Sequence, residues 1–408
     1  MRVSTFLTVA IACIATSLPA QADDRWEIWS DGNGRLDLSA ERFLTLRFEE
    51  PDLRFHIGGR FHGDGAVFDD DTSSIDDDVE VRRGRAYFSG RLFEDWSFKV
   101  EYDFAGERAG WRNLWARYKP FKRAWIKGGN FVAPFGLEEV SSSNYTTFME
   151  RALPSAISPD YGTGGALHYR SYFGDNYRYQ RWSITSSFTV PPLDDPRDDL
   201  RHRSDHWAFT SRVTYAPIAR KRRVIHLGGS VEYRNLDSGS DYRVRSRPES
   251  HLAPAFLDTD MLTDVDQTLA FGAEAAAVLG PVSIQGEYMW VNLDRSDNAN
   301  PSFDGWYAQV SWALTGESRP YSRRSGSFRG IDPKRKWGAV ELAARYSTLD
   351  LNDGGVDGGD EDNVTAGLNW YIRRNLRLMF NYIHVMSHPA GGGHDNPEIF
   401  QARIAFFF

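Results

Sequence analysis

Arg151 directly follows Glu150, and the two are the only adjacent opposite charges in the long polar stretch 132–163, which also carries Glu138 and Glu139. A guanidinium keeps its charge near neutral pH, and its planar fork of N–H donors fits the oxygens of a tetrahedral oxyanion. One arrangement therefore has Arg151 facing a narrow aqueous passage and donating to a passing oxyanion, with Glu150 or Glu138 holding it in place. The same spacing permits another, in which Arg151 lies against a wall in a structural salt bridge with Glu138 or Glu139.

Further basic residues fall at strand spacing. On 222–235, Ile225, Leu227, Val231 and Tyr233 share one face, which leaves Arg222, His226, Ser230 and Arg234 on the other. By the same rule Arg60, Lys99, Arg212, Arg345, Arg377 and Arg403 point away from the apolar faces of their strands. A ring of fixed positive charge at close quarters selects anions. Glu101, Glu232, Glu287 and Glu341 occupy the same polar faces and would cancel part of that field. Arg82, Arg83, Arg85 and Arg91 form the densest basic run, but its alternation is ambiguous and does not say which of them face inward.

Other chemistry is sparse. The chain has no G-x-S-x-G elbow and no H-E-x-x-H helix. His384 and His388 lie on or just beyond one strand with no acid at a recognisable spacing, so lumen, interface or loop positions are expected of them rather than catalysis. The acidic clusters at 69–71, 76–78 and 353–362 read as solvated loop charge, although such carboxylates would also suit divalent cations bridging to lipopolysaccharide. The run Asp353-Gly354-Gly355-Val356-Asp357-Gly358-Gly359-Asp360 occurs once, whereas a calcium-binding glycine repeat needs stacked copies. Cys13 is the only cysteine and lies in a segment expected to be removed, so neither a disulfide nor a thiolate metal site is expected, and no cofactor is.

Strands must position these charges. Phe400, Ala402, Ile404, Phe406 and Phe408 share one parity and Gln401 and Arg403 the other, as on a strand with lipid on one side and water on the other. A terminal aromatic on such a strand also resembles the address read by the outer-membrane assembly machinery. The alternation recurs in Trp96, Phe98, Val100, Tyr102 and Phe104, and in Val282, Ile284, Tyr288 and Trp290, where a helix would scatter the same residues around its circumference. About sixteen such segments can be found, an even number that suits a bacterial barrel wide enough to conduct. Composition agrees: 41% hydrophobic, 25% charged and 14% aromatic residues, with 13 Trp and 18 Tyr, match a wall whose alternate residues face lipid and whose amphipathic rings gather at its interfaces. The formal net charge of −8 sums outer loops with lumen and so says little about selectivity.

Met1-Arg2, an apolar stretch over 6–18 and Ala20-Gln21-Ala22 before Asp23-Asp24-Arg25 predict a signal peptide over 1–22 cleaved near Ala22. No later run approaches the roughly 20 apolar residues of a spanning helix. The expected organisation is a periplasmic N-terminal segment over 23–52, then an all-β antiparallel barrel over 53–408, closed by pairing of the Phe408 strand with a strand near 53–68. Its place would be the outer membrane of a Gram-negative bacterium. Short connections at 94–95, 120–122, 174–176, 219–221, 280–281 and 373–374 alternate with long polar ones at 69–78, 132–163, 190–204, 235–264, 350–361 and 387–397, as periplasmic turns alternate with outer loops. The segment 316–335 breaks the pattern, being long where a turn is due and rich in Arg and Lys.

Gly128-Gly129-Asn130-Phe131-Val132-Ala133-Pro134-Phe135-Gly136-Leu137-Glu138-Glu139, followed by Ser141-Ser142-Ser143 and Thr147-Phe148-Met149-Glu150-Arg151, resembles the phosphate-selective porins O and P. The likeness extends to Ile57-Gly58-Gly59-Arg60, Glu80-Val81-Arg82-Arg83-Gly84-Arg85, Thr315-Gly316-Glu317-Ser318-Arg319-Pro320-Tyr321 and Glu341-Leu342-Ala343-Ala344-Arg345-Tyr346-Ser347, and so to nearly all of the mature chain. Asn130 departs from the family's usual glutamine. The resemblance implies a trimeric barrel of about sixteen strands whose third outer loop, here 132–163, folds inward to narrow the channel and present cations to anions. Passive diffusion of small anions is the implied function, with phosphate, pyrophosphate and a general anion preference all open. A general-diffusion porin, an outer-membrane barrel enzyme and a structural barrel occluded by its own loops are the alternatives, and a bilayer recording separates a conducting pore from the last two.

Overall fold

The computed structural model describes residues 25–30, 33–39, 43–106, 109–171, 182–193 and 206–408, so the expected signal peptide, Cys13 and the expected turn at 174–176 lie outside the described residues. The alternating segments form sixteen antiparallel strands: β1 Leu53–Asp69, β2 Asp78–Leu92, β3 Trp96–Asp103, β4 Gly110–Phe121, β5 Ala124–Val132, β6 Tyr161–Arg170, β7 Trp182–Val190, β8 His206–Arg220, β9 Arg223–Tyr242, β10 Leu262–Leu279, β11 Val282–Arg295, β12 Ser302–Ala313, β13 Ala339–Asp353, β14 Val356–Arg373, β15 Leu376–His388 and β16 Glu398–Phe407. Each pairs with its neighbour in sequence, and β16 closes on β1 from Glu398↔Asp69 to Phe407↔Arg60.

Burial is inverted relative to a water-soluble protein. Phe188, Phe209, Val213, Leu227, Phe271, Ile284, Val310, Leu342 and Phe400 are exposed, while their strand neighbours Ser187, Thr210, Arg212, His226, Ser283, Ser311, Glu341 and Gln401 are buried. Lipid on the outside accounts for this pattern. Strands β3, β5, β6 and β7 have 8, 9, 10 and 9 residues, against 20, 18 and 18 in β9, β10 and β14. About 9–11 tilted residues cross a bilayer, so the long strands project beyond it.

Three short strands, Arg25–Ser30, Gly34–Ser39 and Phe43–Phe48, extend the sheet before β1. The third pairs with β1 from Leu44↔Ile57 to Phe48↔Leu53, past the point where β16 ends, and the Phe43 and Phe408 rings lie 5.2 Å apart. They thus sit at the short-turn end of the barrel.

One expected long loop is not a loop. At 350–361 the strands run on to a two-residue turn, with pairs Asn352↔Asp357 and Asp353↔Val356 closed by Gly354 and Gly355 at φ 58° and 84°. Positive φ at both central residues is what a tight hairpin turn requires, and glycine adopts it without strain. Acids of the 69–78 cluster cap their own surroundings: Asp70, Asp71 and Asp77 accept from the backbone N–H groups of Ile75, Asn396 and Phe68 at 3.1, 2.9 and 3.1 Å.

The lumen is filled unevenly. Phe135, Leu153 and Ile157 of the inward loop 133–160 pack with Val244 and Leu257 of loop 243–261 and with Leu293, Phe303 and Leu349 of the wall. Ala253 and Phe256 do the same against Ile383, Val385 and Ile399. Both loops therefore lean on β9–β16 and, through Ala66, Arg60 and Arg82, on β1 and β2, and the lumen beside β3–β7 stays open.

Candidate functional site

Gly136 turns the inward loop. Its φ of 61° suits glycine, and a Cβ there would come within 2.9 Å of Glu287 Oε1 on β11. The turn aims two backbone N–H groups at that carboxylate: Leu137 donates to Oε1, and Glu138 donates to Oε2 at 2.9 Å. A single helical turn, α1 Leu137–Val140, follows. Phe135, Leu137 and Phe148 are fully buried, and burial of each side chain contributes roughly 1.5–3 kcal/mol. Apolar anchors and one wall carboxylate thus fix where 133–160 crosses the lumen.

Wall arginines stitch the run Thr147-Phe148-Met149-Glu150-Arg151 in place. Arg377 Nη2 donates to Thr146 O at 2.8 Å, Arg345 Nη1 donates to Glu150 O at 3.2 Å, and Arg403 Nη1 donates to Met149 O. The Glu150 carboxylate accepts from Arg82 at 2.9 and 3.0 Å and from Arg403 at 2.6 Å, with Arg83 at 3.7 Å. Burial alone would raise the Glu150 carboxyl; Arg82, Arg83 and Arg403 outweigh it and hold the group well below the usual carboxylate range.

Arg151 turns the other way. Its Nη1 lies 3.3 Å from Glu139 Oε2, while Nε and Nη2 donate to the carbonyls of Glu138 and Glu139 at 3.2 and 3.1 Å. The carboxylate beside Arg151 is therefore that of Glu139, not of Glu150 or Glu138. Glu138 uses its own Oε2 to accept from Ala152 N at 3.0 Å. Although burial opposes the charge, Glu139, Asp160 and Glu138 keep the Arg151 guanidinium more firmly protonated than usual. Its side chain retains 29% exposure and borders two cavities of the lumen.

The other basic positions separate into anchors and lining. Arg212 binds Glu274 at 2.6 and 3.1 Å, Arg234 binds Glu232 at 2.8 Å, Arg345 pairs with Glu249, and Arg403 binds Asp64 at 2.7 Å. Arg222 lies in the exposed turn 221–222 and donates to Gly316 O at 3.1 Å; the strand begins one residue later than the alternation suggests, which takes Arg222 off the lumen face. Arg60 donates to Ser143 Oγ at 2.9 Å, and Lys99 pairs with Glu101.

Two irregularities hide lining residues from simple parity. The β1–β2 register slips between His62↔Arg83 and Gly63↔Val81, so Arg82 is the extra residue of a bulge and the adjacent Arg82 and Arg83 both face inward, with Arg85. A similar slip between β3 and β4 sets Arg112 and Asn113 together opposite Glu101.

The long basic segment 314–338 enters the lumen from the short-turn end. Tyr321–Ser322 and Ser327–Phe328 pair as a hairpin, and the Ser325 and Gly326 carbonyls accept from Arg212 at 3.1 and 2.8 Å. Phe328 packs with Leu137, and Arg319 donates to Tyr145 O at 2.9 Å. Segments from opposite ends of the barrel therefore meet inside it.

Beside them lies a cavity of about 590 Å³ on the open half, lined by fifteen Arg and Lys against four Asp and Glu among the described residues. Arg60, Lys99, Arg151 and Arg212 of the sequence-derived candidates border this cavity. Arg117, Lys119, Lys122, Lys127 and Arg170 also belong to it and were missed. Trp115 and Trp125 share their inward faces, and an aromatic on the water side defeats a rule that sends apolar residues out to lipid. Low-dielectric walls around one sign of charge concentrate counter-ions, here anions.

The sequence model of the family described as phosphate-selective porin O and P matches residues 55–408. Porin O of Pseudomonas aeruginosa is 25% identical over 407 residues, covering 90% of this chain and 91% of that one. An uncharacterised protein of Caulobacter vibrioides is 27% identical over 361 residues, covering 82% of this chain and 69% of that one. In fold, the chain is similar to the outer-membrane protein OmpT of Vibrio cholerae (TM-score 0.56, 11% identity, 87% of this chain and 98% of that one). It is also similar to an anion-selective porin from Comamonas acidovorans (TM-score 0.54, 10% identity, 88% of this chain and 100% of that one). Since the family match takes in all of the barrel but the first two residues of β1, the chain belongs to the phosphate-selective porin O and P family and is an integral outer-membrane porin.

Proposed function

We propose that the lumen conducts small anions, with inorganic phosphate or a related oxyanion preferred over chloride, by passive diffusion and without covalent chemistry. The observation that carries this reading is the excess of cations over acids around the open cavity, fifteen against four. Glu150 and Glu274, outside that lining, pair with its Arg82, Arg83 and Arg212, so the field rests on the lining cations without such partners, Arg117 and Lys127 among them. Arg151, at the border of both cavities, is read as part of the narrow passage, with Glu139 holding it and Glu150 bracing the loop behind it. The test is the reversal potential of the channel in a planar bilayer under a potassium chloride gradient, followed by titration with phosphate. Anion selectivity and loss of chloride current on adding phosphate are expected; a general-diffusion pore would show weak selectivity and no phosphate block.

The remaining parts of the reading follow the family. A homotrimer is what the family implies, and the apolar outer faces fit it, since either a sister barrel or lipid and lipopolysaccharide can cover them. Residues 1–22 are read as a signal peptide, 23–52 as a periplasmic lead-in, and the β16 end at Phe408 as the segment met by the assembly machinery. Native mass measurement in mild detergent tests the trimer; finding monomer alone removes it.

A further inference from the structure

Arg117 on β4 and Lys127 on β5 stand directly opposite each other in the ladder, and like charges in that relation repel. The same row continues to Ser97 on β3 and Ala166 on β6, neither of which brings an acid. Among the described residues neither cation is paired with a carboxylate, and the charged groups acting on Arg117 are two more cations, Arg170 and Arg324. What surrounds the pair is aromatic. The Arg117 guanidinium carbon lies 5.6 Å from the Trp115 ring centre and 5.8 Å from that of Trp125. Lys127 Nζ lies 5.5 Å from the Trp125 centre and 3.8 Å from that of Phe131.

These rings are themselves held. Trp115 Nε1 donates to Asn113 Oδ1 at 3.1 Å, and Trp125 stacks on His168 with centres 4.9 Å apart and planes 10° from parallel. Arg117 Nε donates to Ser97 Oγ at 3.0 Å, which leaves its terminal nitrogens for the lumen. A carboxylate would fix a cation and cancel its charge. An indole face fixes it through the ring quadrupole and leaves the net charge intact.

We propose that Arg117 and Lys127 form a discrete oxyanion site in the open half of the lumen, and that Trp115 and Trp125 are its positioning residues, standing where acids stand in the filled half. The ligand class is a small tetrahedral oxyanion of monophosphate size, since directly opposed residues on one face are close enough for a guanidinium fork and an ammonium to reach one such ion together. The assignment rests on the anion-channel reading and names a place where the ion pauses.

The experiment uses the full-length protein in planar bilayers bathed in chloride and reads the half-blocking concentration of inorganic phosphate. Arg117→Gln and Lys127→Gln should each raise that concentration about tenfold. Trp125→Leu should raise it roughly threefold, and Trp125→Phe should recover most of the block because a phenyl face remains. If the wild-type channel is cation-selective or phosphate does not block it, the channel reading itself falls. If the wild type is blocked and both glutamine variants are blocked at the same concentration, the site lies elsewhere and the inference alone falls. If Trp125→Leu lowers only the yield of folded barrel, and the surviving channels block as the wild type does, the positioning role is overturned.

Discussion

On the wall of β9–β16, arginines that seat the inward loop end on acids: Arg345 on Glu249, and Arg403 on Asp64 and Glu150 at 2.7 and 2.6 Å. On the open wall of β3–β6, Lys99 also ends on an acid, Glu101, but Arg117 and Lys127 end on aromatic faces and a serine hydroxyl. The same residue type therefore serves two ends. A buried, paired arginine adds little field and much constraint, because removing one partner strands the other without compensation. An arginine held by an indole adds modest constraint and keeps its field. On the reading proposed above, loop position and ion selectivity fall to different residues of one pore.

The heaviest blow to the filled half should come from Arg403→Leu, which strands Asp64, leaves Glu150 to Arg82 and Arg83 alone and removes the bond to Met149 O. A cost of about 3–5 kcal/mol is expected, read as a lower unfolding temperature of the barrel on heated gels. Unchanged thermal behaviour would mean the arginine seam does not hold the loop. Arg151→Glu strikes the border between the halves. It sets a carboxylate against Glu139, so the anion-to-cation permeability ratio should fall roughly three- to tenfold and phosphate block should weaken. A variant that assembles normally with the wild-type reversal potential would make Arg151 purely structural.

Acidification sharpens the comparison by what it leaves alone. Because Glu150 titrates well below the usual carboxylate range, its contribution is in place above the unfolded value of about 4.3 and is lost only as pH falls through the lowered one. Between pH 7 and pH 5 the loop should stay seated and the unfolding temperature of the barrel on heated gels should hold; a steep fall near pH 5 would put the seam in doubt. The smallest effect belongs to Arg222→Gln. Exposed in its turn and screened by saline over roughly 8–10 Å, Arg222 should leave the reversal potential unchanged, and a shift would return it to the lumen.

Much of this architecture is legible in the sequence because alternation is local. Trp96 to Phe104 and Phe400 to Phe408 declare their lipid faces within a few residues, and the closing pair of strands follows from the ends of the barrel. The inward position of Arg403 or Arg212 is equally local, but the acids that neutralise them come from Asp64 and Glu274, far away in sequence, so lining and anchoring arginines look alike until the chain is folded. Arg82 and Arg83 needed a bulge to be understood, and bulges depend on the partner strand. The hairpin at 354–355 resembled a polar loop because its strands leave the bilayer and carry acids. The segment 314–338 is long because it reaches across the lumen to Leu137 and Tyr145, a contact with no local signature.

The division of labour between the two walls is tested most directly by one channel in which four cations of β4 and β5 and their turn are neutralised and the loop seam is untouched. Arg117→Gln, Lys119→Gln, Lys122→Gln and Lys127→Gln together, in a folded barrel, should move the reversal potential in a salt gradient most of the way to zero. A folded quadruple variant with the wild-type reversal potential would contradict the account and return selectivity to the paired arginines of the loop seam.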